Sequence, residues 1–243
     1  MTASPANEDP DALSAVQRLL QQGEVAKALE KLNGLADTAQ SSVMGQYMRG
    51  VCLRLMGEFA NAESALRQLV EGNPSYGRAF QELGHLYRDA NMPTEALNAY
   101  ATACHLNPGL KASWAAQRDL IGKGSPERAA QINQRLQWLE SLPPALLASW
   151  DLLHEGKLHK AEQLCRQFMR QNPQHIDGMR VLAEIATRHG VLEDAEFLLE
   201  SAVEFEPKHR QARIDYVQIL SKRQRFQRAV DEAKALLDQA PDN

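Results

Sequence analysis

Cysteine is scarce in this 243-residue chain. Cys52, Cys104 and Cys165 are odd in number and widely separated, so they suggest neither a disulfide framework nor the ligand spacing of a zinc site. Aromatic residues make up 6% of the sequence. No apolar run approaches the ~18 residues that a bilayer-spanning helix needs. A formal charge of -4 is too small to argue for nucleic acid or an anionic membrane as partner. The beginning carries Glu8, Asp9 and Asp11 where a secretory leader would carry Lys or Arg. Together these absences predict a reducing, cytoplasmic setting.

What is abundant is Ala, Leu, Gln, Glu and Arg, all strong helix formers. They recur with a fixed period. Pro74 and Pro108, Pro173 and Pro207, and Pro207 and Pro241 are each 34 residues apart. The same step joins Ala28, Ala62, Ala96 and Ala130, and then Ala161, Ala195 and Ala229. A third track runs through Gly23, Gly57 and Asn91 and resumes at Gly156 and Gly190. Such a period marks stacked supersecondary units, because one unit cannot bury its own apolar face.

Residues Phe80, Leu83-Gly84, Tyr87, Ala96, Tyr100 and Pro108 follow the spacing of the tetratricopeptide signature. On these residues the chain resembles the tetratricopeptide repeat family from residue 9 to 243. The resemblance implies an all-α fold, a right-handed α-solenoid of about seven helix pairs that is irregular at the fourth. Units begin near Asp9, Val43, Gly77, Lys111, Leu142, Ile176 and Arg210. Residues 1–8 are polar and expected to be disordered. Units one to three then occupy 9–110, a degenerate fourth unit 111–141, and units five to seven 142–243.

Small residues such as Ala62 and Ala195 belong where the second helix of a pair crosses the first. Gly57 and Gly190 suit a left-handed helix end, and proline near the end of a unit stops its second helix. The fourth unit keeps Trp114 and is expected to keep Ala130 at its crossing. However, Gln117-Arg118 replace Leu-Gly, Gln134 and Gln137 stand at apolar positions, and Pro143-Pro144 follow. A change of pitch is expected near residues 122–145.

Gly122-Lys123-Gly124-Ser125 lacks the upstream glycine and the strand of a phosphate loop, and reads as a turn between helices. The seven histidines form no i, i+4 pair with a helical Glu, so no metal site is expected. The cysteines fall at buried helix positions and read as small apolar filler. A basic stretch from Lys208 to Arg228 reads as a solvated surface, with docking of an acidic neighbour as the alternative. No cofactor and no catalytic residue is expected.

By resemblance, the concave face is lined by the second, fifth, ninth, twelfth and thirteenth positions of each unit. These are Arg78, Gln81, His85, Arg88 and Asp89 in the third unit, and Asp177, Arg180, Glu184, Thr187 and Arg188 in the sixth. Gln218 and Lys222 follow in the seventh. The second unit offers Tyr47 and Val51, the fifth Leu146 and Trp150, the latter read first as packing. The groove is expected to be polar and basic, with the four arginines exposed along one surface. The carboxylate clamp of chaperone-binding relatives is missing, since Leu13, Gln17 and Met48 stand at its positions.

The resulting expectation is a bacterial, cytoplasmic, non-catalytic scaffold whose groove takes a peptide or protein segment. The segments Leu158-His159-Lys160-Ala161-Glu162, Asp194-Ala195-Glu196-Phe197 and Ala212-Arg213-Ile214-Asp215-Tyr216 also resemble the repeat region of bacterial tetratricopeptide-containing sulfotransferases. That resemblance implies an alternative in which the repeats present an acceptor to a catalytic domain beyond Asn243. The apolar stripe Phe226, Ala229, Val230, Ala233, Leu236 and Leu237 is expected to meet a partner or a further domain.

Overall fold

The computed structural model describes residues 10–238, so the stretch expected to be disordered lies outside the described residues. Among the described residues there are fifteen α-helices and no strand. The chain divides into two compact units, residues 1–137 and 138–243.

In the first unit, α1 (Pro10–Gln21) pairs with α2 (Val25–Asn33), and a single turn, α3 (Asp37–Ser41), precedes α4. Then α4 (Val43–Leu55) pairs with α5 (Phe59–Gly72), and α6 (Gly77–Asp89) with α7 (Pro93–Leu106). Next come α8 (Lys111–Ile121), a 3-10 turn at Gly122–Gly124, and α9 (Pro126–Ser141), which runs across the boundary. In the second unit the pairs are α10 (Pro144–His154) with α11 (Leu158–Gln171), α12 (Ile176–Arg188) with α13 (Leu192–Phe205), and α14 (Arg210–Lys222) with α15 (Phe226–Asp238). Consecutive pairs stack within each unit as an α-solenoid.

Local chemistry sets the helix ends. Gly57 and Gly190 adopt φ of +80° and +79°. Gly190 N–H then reaches the Thr187 carbonyl (3.1 Å) and Val191 N–H the Ala186 carbonyl (2.9 Å), capping α12. Ser42 caps α4 by accepting from Gly45 N–H at 3.1 Å. His175 and His209 do the same for α12 and α14 through Nδ1.

Packing follows the small residues. Ala28, Ala62, Ala96, Ala161 and Ala195 are fully buried. A Cβ on Gly50 would stand 2.5 Å from the nearer Leu66 methyl, and one on Gly84 would stand 2.6 Å from the Tyr100 ring. Both glycines occupy the eighth position of their units, where the second helix comes closest. All three cysteines are buried free thiols. Burial pushes them up, to about 11 for Cys52 and about 12 for Cys104 and Cys165. They remain neutral, as packing residues should.

The fourth pair departs from the expected register. Ala130 is exposed, while Ile132, Leu136 and Leu139 are buried. The period of 34 therefore marked Ala130 as a crossing residue that it is not. The eighth position holds Arg118, whose side chain is 41% exposed and pairs with Asp119 at 2.9 Å.

Part of the basic run is answered within the fold. Arg223 bonds Glu193 at 2.7 Å and also Glu196, while Arg228 bonds Glu196 at 3.2 Å and Glu200 at 2.5 Å. Arg213 pairs with Glu232. Lys208, Arg210, Lys222 and Arg225, all exposed, remain for solvent or a partner. On α15, Ala229 is buried, whereas Phe226, Val230 and Leu237 are exposed.

Candidate interaction faces

In the first unit, side chains from α4, α6 and α8 meet across the helix axes. Arg54 of α4 donates to Glu82 (2.5 Å) and Asp89 (2.6 Å) of α6. Ser113 of α8 donates to Gln81 of α6 at 3.0 Å. These bonds join the first helices of successive pairs. Burial pushes the Glu82 carboxyl up while Arg54 pulls it back, the balance expected of a buried pair.

His85 Nδ1 and the Tyr100 hydroxyl are hydrogen-bonded at 2.6 Å, and the two rings meet edge-on. Burial first, then Arg54 and Arg88, lower its pKa to about 4. Tyr47 packs edge-on to Tyr76 with centroids 5.8 Å apart. Burial and then the Glu82 carboxylate raise its phenol pKa. Arg78 is half-buried; Arg88 is exposed and leans on Asp89 at 3.2 Å.

In the second unit, Arg180 departs from expectation. Its side chain is 10% exposed, held by Asp177 at 2.6 Å and Asp215 at 2.7 Å. Its guanidinium also lies 5.9 Å from the Trp138 ring centroid. The expected exposed arginine is thus the centre of a structural cluster, because α14 supplies a carboxylate within its reach. Arg188 is exposed, as expected, and donates to Glu184 at 3.2 Å. His154 is buried beside Glu184 at 3.7 Å, and its pKa is lowered chiefly by burial. Gln218 and Lys222 are exposed. Trp150 packs against Trp138 (5.1 Å) and Leu146 is fully buried, so both belong to the core.

Arg54, Glu82, Ser113, Trp138 and Asp215 were not singled out from sequence. The signal available was that Glu82 and Asp215 both stand sixth in their units. At the chaperone-clamp positions, Leu13 and Met48 are buried. Among the described residues no group of His, Cys, Asp and Glu is placed to hold a metal. No described helix is long and apolar enough to cross a membrane.

Tetratricopeptide repeat family models match residues 13–77, 47–111 and 186–243, more than half of the sequence. The chain is a tetratricopeptide repeat protein. Among solved structures, this repeat protein is similar to Pseudomonas aeruginosa pilF at 16% identity and a TM-score of 0.48. The match covers 87% of the present chain and 96% of the other. A tetratricopeptide repeat protein from Parabacteroides merdae is 14% identical with a TM-score of 0.44, covering 95% and 92%. The structure of Naa15/Naa10 bound to HypK-THB gives 18% identity and a TM-score of 0.48; the chain covers 37% of that longer one. No curated protein matches the sequence. Repeats of this family generally mediate protein–protein interaction.

Proposed function

We propose that this repeat protein is a non-catalytic scaffold that binds an acidic peptide or protein segment along the first helices of its pairs. The supporting observation is that polar side chains tie neighbouring first helices together, through Arg54–Glu82 and Gln81–Ser113 in one unit and Arg180–Asp215 in the other. Such cross-helix bonds fix the spacing between helices, so exposed side chains are presented at low entropic cost. The exposed cations Arg88, Arg188 and Lys222 supply the charge that an acidic segment needs.

The test is a library of acidic peptides screened against the purified chain, with Arg88→Glu and Arg188→Glu/Lys222→Glu variants. Loss of binding with unchanged unfolding is expected for at least one variant. Binding unaffected by all three reversals would refute the assignment to these faces.

The resemblance of residues 140–243 to sulfotransferase-associated repeats supports a second reading. In it, the face of α10, α12 and α14 orients an acceptor for a catalytic domain in a longer protein. Sulfate transfer by the full gene product, lost on removing the repeats, would establish it. A gene product without such transfer would end it.

A further inference from the structure

The irregular fourth pair leaves a cavity of about 530 Å3 within the first unit, between the α7 end, α8 and the first half of α9. That volume is in the range of small-ligand sites.

The chemistry of the wall is specific. Along α9, Arg128, Gln131, Ile132 and Arg135 line it. Their i, i+3, i+4, i+7 spacing places them on one helical face, with the two guanidinium-bearing residues about 10 Å apart along the axis. Opposite stands Trp114, whose indole N–H donates to the Pro108 carbonyl at 2.9 Å. That bond consumes the ring's polar handle and fixes its orientation, so what remains for a ligand is apolar ring surface. Gln117 is buried and donates to Cys104 Sγ at 3.1 Å. Burial pushes that thiol up to about 12, so it adds no negative charge. No carboxylate lines the cavity.

From this arrangement we infer a second binding site: the cavity takes a flat organic anion, an aromatic ring carrying a carboxylate, with the ring beside Trp114 and the acid group shared by the Arg128 and Arg135 guanidinium groups. Guanidinium binds carboxylate through paired, charge-assisted hydrogen bonds, and the gap between helices accepts a ring that the regular pairs would exclude. The site is separate from the faces formed by the first helices and does not depend on them.

The test uses 2-naphthoate as probe, with 2-naphthol (ring without charge) and inorganic phosphate (charge without ring) as comparators, by titration calorimetry on the full chain. The expected result is saturable binding of one naphthoate per chain, about tenfold or more tighter than either comparator. Arg128→Ala and Arg135→Glu should each lower affinity by a similar factor, while Arg170→Glu on α11 should not. Arg128 is exposed, so its variant remains informative if Arg135→Glu fails to fold. Absence of saturable binding, equal affinity for naphthol, or an Arg128→Ala variant that binds like the parent would each overturn the site.

Discussion

The Tyr100 ring lies against Gly84 so closely that a Cβ there would stand 2.6 Å from two ring carbons. Tyr100 is fully buried and its hydroxyl is tied to His85, so the ring has little freedom to retreat. Gly84→Ala should therefore destabilise by about 1–3 kcal/mol, even though Ala is the better helix former by ~1 kcal/mol. Urea unfolding of the variant checks this. A neutral or stabilising outcome would mean that α6 and α7 tolerate separation.

Gln224 sits 34 residues after Gly190 and takes the same left-handed conformation, at φ +59°. Its N–H reaches the Ser221 carbonyl at 3.0 Å and Arg225 N–H the Leu220 carbonyl at 2.8 Å, as at the glycine-capped ends. A non-glycine residue pays about 1–2 kcal/mol for this conformation. Part of that is returned by the lower entropy of its unfolded chain. Gln224→Gly should raise stability by a net ~0.5–1 kcal/mol, read as a higher thermal midpoint. A lowered midpoint would show that the Gln224 side chain has a stabilising role.

Arg180 and Arg188 belong to the same helix and were expected to behave alike. Arg180 is held by two carboxylates and a tryptophan face. Removing it takes their shared partner from Asp177 and Asp215, which are 16% and 27% exposed, so Arg180→Ala should cost about 1–3 kcal/mol. Arg188 is exposed beside Glu184, and Arg188→Ala should stay within ~0.5 kcal/mol. Chemical denaturation of the two variants distinguishes them. Equal effects would contradict the cluster.

This contrast marks what the sequence made legible. The 34-residue period located the helix pairs, the left-handed turns and most crossing alanines, because those depend on residues within one unit. Arg180 escaped because its burial depends on Asp215, 35 residues away on another helix, and on Trp138. Ala130 escaped because the period alone does not report that α9 turns Ile132, Leu136 and Leu139, and not Ala130, to the core.

His85 gives a pH dependence with a definite sign. Its pKa is lowered to about 4 from the ordinary 6.5, first by burial and then by Arg54 and Arg88, with Asp89 opposing. The neutral ring hydrogen-bonds the Tyr100 hydroxyl through Nδ1. Because the folded-state value is depressed, the unfolded chain takes up the proton first as pH falls. Stability from this site is therefore complete above about pH 6.5 and is lost progressively towards pH 4. The loss is about 1–3 kcal/mol after allowing for the ring's partial exposure. His154, also lowered by burial, adds a loss of the same sign, so the wild-type curve alone does not isolate His85. His85→Gln does, because an amide still hydrogen-bonds the Tyr100 hydroxyl and carries no titration. The stability difference between wild type and His85→Gln should shift in favour of the variant between pH 7 and 4.5. Parallel curves over that range would mean that His85 is no harder to protonate in the folded protein than in the unfolded chain.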